Sequence, residues 1–169
     1  MESKLKYAIF DTDKGWVGVL GSAQGLRRTT LPQRSAGRVS LLLGDEANCA
    51  TSSTHFFADL VERLRVYFAG GKTTFPDKLE FWGASPFQHE VWAVTRLIPY
   101  GETKSYGWVA RMMGKPQAVR AVGQALGRNP LPIIIPCHRV VASDGNLGDF
   151  SGGPEMKKYL LALEAKANI

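Results

Sequence analysis

The run Ser105-Tyr106-Gly107-Trp108-Val109-Ala110-Arg111-Met112-Met113-Gly114-Lys115-Pro116-Gln117-Ala118-Val119-Arg120-Ala121-Val122-Gly123-Gln124-Ala125-Leu126-Gly127 carries two apolar stripes at helical spacing. The first is Tyr106, Val109, Ala110 and Met113; the second is Val119, Val122 and Leu126. Only Gly114-Lys115-Pro116 separates them, and Pro116 fits the first position of a helix, where the missing N–H would have no partner anyway. Two short helices joined this tightly predict a helix-turn-helix. The exposed face of the second helix reads as small, with Ala121, Gly123, Ala125 and Gly127 around Arg120.

Moving outward, Pro86 to Leu97 places Phe87, Val91, Trp92 and Leu97 on one helical face. A last helix from Pro154 is expected to bury Met156, Tyr159, Leu160 and Leu163. Towards the N-terminus the texture changes. Lys6-Tyr7-Ala8-Ile9-Phe10 and Trp16-Val17-Gly18-Val19-Leu20 alternate as antiparallel strands about a turn at Asp11 to Gly15. Between Ser52 and Phe68 the residues Phe57, Leu60, Val61, Leu64 and Phe68 predict an amphipathic helix, stopped by Gly70-Gly71. Lys72 to Trp82, with Pro76, reads as a strand or linker. The chain is therefore expected to be α+β. A small N-terminal α/β domain over residues 1–82, an antiparallel sheet plus a helix, precedes a mostly helical domain over residues 83–169.

Composition narrows the function classes. The 169 residues are 44% apolar, and 21 Lys and Arg oppose 15 Asp and Glu for a net charge of +6, which excludes a disordered polyelectrolyte. No run approaches the roughly 18 apolar residues of a membrane span, and Met1 to Lys6 is too charged to begin an export signal. A soluble, intracellular and cytoplasmic protein is expected. Cys49 and Cys137 are too few for a disulfide framework and read as free thiols. Residues 1 to 85 hold eleven basic and nine acidic side chains. Thr103 to Ser143, by contrast, holds Lys104, Arg111, Lys115, Arg120, Arg128 and Arg139 with no acid at all. Such a segment suits a polyanion, which it would bind by releasing counterions, although a plain solvated surface carries the same charges. Gly71-Lys72-Thr73 lacks the earlier glycine of a phosphate loop, and His89-Glu90, Cys49 and His55 fall short of a zinc set, so no metal and no cofactor is implied.

Pro132-Ile133-Ile134-Ile135-Pro136-Cys137-His138-Arg139-Val140-Val141 sets a thiol beside an imidazole at the end of an apolar run. A buried structural cysteine next to a surface histidine is the plain alternative. The context includes Phe87-Gln88 to Trp92, Ile98-Pro99-Tyr100-Gly101-Glu102-Thr103, Ser105-Tyr106, Arg120-Ala121-Val122-Gly123, Asn129-Pro130 and Ser151-Gly152-Gly153. With Pro136-Cys137-His138-Arg139-Val140, these segments resemble the O6-alkylguanine-DNA alkyltransferases, the methylated-DNA-protein-cysteine methyltransferases. The likeness covers about the last half of the chain; the first half is compatible with that family's ribonuclease-H-like domain but carries no comparable motif.

The resemblance implies direct-reversal repair of double-stranded DNA containing O6-alkylguanine, with O4-alkylthymine an open second substrate. Cys137 would accept the alkyl group, His138 would serve as base through water, and Glu164 would orient the imidazole. Tyr106 would hydrogen-bond the extruded base, although it also reads as a core tyrosine. Asn129 would hold the turn before the cysteine strand, a role compatible with an ordinary Asn-Pro turn. Main-chain groups of Cys137, Val140 and Ser151 would meet the base edge, and the loop Gly145 to Gly153, with Gly148 and Phe150, would wall the pocket. Arg120 would fill the place the nucleotide vacates, with Ala121, Gly123 and Arg128 against DNA in the minor groove. Read without the family, Arg120 is a phosphate contact or a solvated side chain, and Glu164 a solvated helix residue. Phe150 stands where the family often has tyrosine, and Asp149 adds an acid near the pocket. The resemblance further implies a monomer, with cooperative binding along DNA left open. The competing readings are an alkyltransferase-like lesion sensor, which would lack the reactive cysteine, and a Cys-His hydrolase.

The chemistry of the residue types agrees. A thiolate attacks saturated carbon well, but an unassisted thiol at neutral pH is only a few per cent ionised and needs a base. On an extended backbone neighbouring side chains point to opposite faces, so His138 could help Cys137 only through a local bend or a bridging water. The resulting thioether has no carbonyl for water to attack, so each molecule would act once.

Overall fold

The computed structural model describes residues 4–167; the start of the charged segment at Met1 lies outside the described residues. The chain divides into two compact units, Met1–Trp82 and Gly83–Ile169. In the first, β1 (Lys6–Thr12), β2 (Gly15–Ser22) and β3 (Gly25–Thr29) are antiparallel neighbours, with Ala8 opposite Val19 and Leu20 opposite Arg28.

β2 is buried on both faces from Val17 onward, which explains why its sequence is apolar rather than cleanly alternating. One covering element has no clear periodic signal in the sequence: α1 (Ala36–Leu43), whose first turn is capped by the Ser35 hydroxyl. It lays Val39 and Leu43 against Leu20, with Tyr7 and Ile9 packed alongside. Close approach there depends on Gly18, where a Cβ would stand 2.4 Å from Val39 Cγ1. Ala8 and Phe10, of the opposite parity, turn to the other face, and α2 (Ala58–Phe68) packs against β1. That helix begins at Ala58 rather than Ser52, because Thr54 to Phe57 form turns.

The sheet is mixed rather than purely antiparallel. β4 (Thr51–Ser52) joins β1 in parallel, giving the order β3-β2-β1-β4. Lys72 to Trp82 forms no strand, but Leu79 bridges Leu26, and Arg63 holds Asp77 through two nitrogens at 2.8 and 2.7 Å.

The second unit contains α3 (Pro86–Thr95), α4 (Tyr106–Met112), α5 (Val119–Gly127) and α6 (Pro154–Ala167). α3 starts with a capping box between Ser85 and Gln88, with Pro86 in the first turn. Its Trp92 indole donates to the Ala125 carbonyl at 2.9 Å, tying α3 to α5. Ala125 is consequently buried, so the small exposed face of α5 loses that member. Pro116 lies in the turn before α5 rather than in its first helical position, the Ala118 N–H closing that turn onto the Lys115 carbonyl. Met156, Tyr159 and Leu163 are only half-buried; the buried face of α6 is Lys157, Leu160 and Glu164.

The apolar run before the cysteine is a tight turn, not a strand. Ile133 there adopts a φ of 76°, a region that costs a β-branched residue about 1–3 kcal/mol and is held by its complete burial among Leu131, Ile134 and Ile135. Two short parallel strands, β5 (Lys104–Ser105) and β6 (Val140–Val141), then pin the segment after the cysteine beside the start of α4.

Candidate active site

Cys137, His138 and Arg139 form one turn of 3-10 helix, all three buried. This is the bend that an extended backbone would have lacked: successive residues of such a turn diverge by about 120° rather than lying on opposite faces. Cys137 is 5% exposed, and its Sγ accepts a hydrogen bond from Asn129 Nδ2 at 3.1 Å. The same amide donates to the Ile135 carbonyl at 2.9 Å, and its oxygen accepts from the Leu131 N–H at 2.8 Å. One side chain thus spans the strained turn and fixes the sulfur to the end of α5.

Behind the sulfur lies a buried charge cluster. His138 Nε2 is 2.5 Å from Glu164 Oε2. Arg139 grips both oxygens of that carboxylate, Nε to Oε1 at 2.8 Å and Nη2 to Oε2 at 3.2 Å, and donates to the Ile98 carbonyl at 2.8 Å. The Gly101 N–H adds a bond to Oε1 at 3.0 Å. Burial by itself would raise the Glu164 carboxyl, but hydrogen bonds and charge from His138 and Arg139 bring it down to about 2. Burial also lowers the His138 imidazole, against the pull of Glu164. With Nε2 donating to Glu164, Nδ1 is the basic atom of the ring. Arg139 was counted in the solvent-facing basic stretch; it is instead a buried counter-ion.

Lys157 gave no functional signal in the sequence. It is fully buried, and its Nζ donates to the Val140 carbonyl at 2.7 Å and to the Asp149 carbonyl at 3.3 Å. Burial raises the Cys137 thiol, while the Asn129 hydrogen bond and the Lys157 charge act the other way and favour a thiolate. Burial correspondingly lowers the Lys157 ammonium against the charges of Cys137 and Asp149. The signal that could have found it is spacing: Lys157, Leu160 and Glu164 fall on one helical face, so whatever buries Glu164 buries Lys157.

Tyr106 is the first residue of α4, half-buried, with its hydroxyl donating to the Asp149 carbonyl at 3.2 Å. The loop from Gly145 to Gly153 lies against it so closely that a Cβ on Gly148, whose φ is 74°, would stand 2.5 Å from the hydroxyl. On another side the Tyr106 ring comes within 3.9 Å of where a Gly123 Cβ would be, which connects the cluster to α5. Phe150 is half-buried and Ser151 exposed in the same loop. Val119, Arg120, Ala121 and Gln124 are exposed on α5, as is Arg128 just past its end. The structure thus brings together Cys137, His138, Glu164, Asn129, Tyr106, Val140 and Gly148, and leaves Arg120, Ala121 and Arg128 facing solvent. No helix among the described residues is long and apolar enough to cross a membrane.

Residues 86–166 match the model of the 6-O-methylguanine DNA methyltransferase DNA binding domain. A methylated-DNA–protein-cysteine methyltransferase of Methanosarcina acetivorans is 38% identical over 158 residues, covering 94% of this chain and 97% of that one. One of Mycolicibacterium paratuberculosis is 48% identical over 116 residues, 69% of this chain and 70% of its own. Among solved structures, the Mycobacterium tuberculosis OGT in complex with DNA superimposes with a TM-score of 0.80 at 37% identity, over 96% of this chain and 94% of that one. The chain belongs to the methylated-DNA–protein-cysteine methyltransferase family.

Proposed function

We propose that this protein repairs DNA by moving an alkyl group from O6 of guanine to Cys137, once per molecule. The observation that carries it is the buried pair of His138 and Glu164, with Arg139 behind, set immediately beside a buried thiol whose sulfur the Asn129 amide holds. His138 takes the Cys137 proton through water at Nδ1, and Glu164 fixes the tautomer that leaves Nδ1 basic. The thiolate attacks the alkyl carbon, the carbon–sulfur bond forms as the carbon–oxygen bond breaks, and the electron pair stays on the guanine oxygen. That developing charge needs donors, which Tyr106 at the ring and the Ser151 amide at the oxygen supply. The Tyr106 hydroxyl must leave the Asp149 carbonyl to do so. The Val140 carbonyl already accepts from Lys157 and offers its second lone pair to the exocyclic amine, beside the Cys137 carbonyl. Gly148 and Phe150 form the wall.

The reacting carbon cannot meet a buried sulfur while the base is stacked, so the nucleotide leaves the duplex. Arg120 fills the gap, while Ala121 and Gly123 allow α5 into the minor groove and Arg128 meets the backbone. The protein acts as a monomer, without cofactor.

Intact-protein mass after incubation with a duplex carrying O6-methylguanine tests this. The expected result is a gain of one methyl per chain, mapped to Cys137 and abolished by Cys137→Ser. An unchanged mass with the lesion bound would mark a sensor, and repeated turnover on a thioester would mark a hydrolase; either overturns the reading.

A further inference from the structure

Asp149 is the sole acid in the loop from Gly145 to Gly153. Its main-chain carbonyl accepts both the Tyr106 hydroxyl at 3.2 Å and the Lys157 ammonium at 3.3 Å. The backbone is thereby pinned over both of these polar groups, while the residue as a whole is exposed. Its charge is felt at both: burial raises the Tyr106 hydroxyl and Asp149 adds to that, and Asp149 opposes the lowering of Lys157 that burial causes. Other fixed charges at the site are already engaged. Glu164 is held by Arg139 and His138, and the run from Thr103 to Ser143 supplies no acid. The pocket therefore combines a buried cation, Lys157, with an anion on its rim.

On the alkyl-transfer reading above, we propose that Asp149 sets the charge preference of the alkyl pocket, so that neutral alkyl groups react ahead of anionic ones such as carboxymethyl. An anionic group brought to Cys137 would be drawn to Lys157. Asp149 cancels part of that attraction and repels the group directly, whereas a methyl group feels neither. The charge that develops on the guanine oxygen is common to both substrates and drops out of their ratio. Because Asp149 is exposed, water and salt screen it, and the effect is several-fold rather than absolute.

The test uses the full chain and Asp149→Asn, which keeps the main-chain carbonyl and its two hydrogen bonds. Single-turnover rates on duplexes carrying O6-methylguanine or O6-carboxymethylguanine are read by intact mass. The carboxymethyl-to-methyl rate ratio should rise about 3- to 10-fold in the variant, shrink towards the wild-type ratio at high salt, and stay near wild type in Asp149→Glu. A methylated wild type with an unmoved ratio in Asp149→Asn overturns this proposal alone. So do both rates rising together, since the charge would then act on DNA approach. A wild type that gains no methyl overturns the alkyl-transfer reading and this one with it.

Discussion

Glu164 shows how much rests on single side chains. Replacing it by Gln leaves Arg139 buried with a neutral partner and removes the anchor of His138. Breaking such a pair costs about 3–5 kcal/mol, so Glu164→Gln should lower the denaturation midpoint sharply and slow methyl transfer, checked by urea titration beside the mass assay. Gly148→Ala acts through geometry: the new Cβ would strike the Tyr106 hydroxyl, and a φ of 74° is strained for alanine. The expected outcome is a stable protein whose rate falls more for a benzyl than for a methyl lesion, because a displaced ring narrows the space left for bulk; equal losses would refute this. At this scale the sequence was most informative where a motif was local. Cys137, His138, Asn129 and Tyr106 could be named because their neighbours carry the family pattern. Lys157 and the burial of Arg139 were not legible, since a cation on an amphipathic segment ordinarily snorkels to water, and only the fold supplies the carbonyls and the carboxylate that hold these two inside.

Among the elements, α4 and α5 were legible because each has a clean apolar face and a short joint, whereas α1 was not. Its three consecutive leucines, Leu41, Leu42 and Leu43, blur the period, with only Leu43 buried. β4 is two residues long and has no pattern to read. Ile133-Ile134-Ile135, β-branched throughout, favours extended backbone ahead of the cysteine, and the positive φ of Ile133, fixed by tertiary packing, overrides that propensity. The exposed face of α5 makes a prediction of its own. Arg120→Ala should leave undamaged-duplex binding within a few-fold of wild type yet slow methyl transfer from duplex DNA at least tenfold, with transfer from an unpaired lesion less affected. Equal slowing on both substrates would make Arg120 a plain phosphate contact.

Across the whole molecule, pH dependence follows from the buried cluster. Glu164 drops from 4.5 to about 2, so its contribution, about 3 kcal/mol, is complete above pH 4.5 and lost as pH falls towards 2. His138 is lowered from 6.5, so the folded state resists its protonation and stability declines as pH drops below 6.5. Cys137 is raised from 9.0, so stability also declines as pH rises above 9.0. Urea midpoints should therefore fall steeply in acid, below pH 6.5 and onward towards pH 2, while above pH 9.0 the Cys137 effect is opposed by Lys157, which is lowered from 10.5; a flat profile from pH 7 to 4 would contradict the buried charges. Methylation should also lower the melting temperature, because an added methyl crowds the Asn129 amide that spans the turn. The position of α6 in the chain has a temporal consequence. Cys137 leaves the ribosome well before Lys157 and Glu164, which supply the charge beside the sulfur and the anchor of its base. A nascent polypeptide that has emerged only as far as the pocket loop already holds the thiol but lacks both. The thiol therefore meets its charged surroundings only once α6 has emerged and docked, and until then an irreversible acceptor lacks the groups that would commit it.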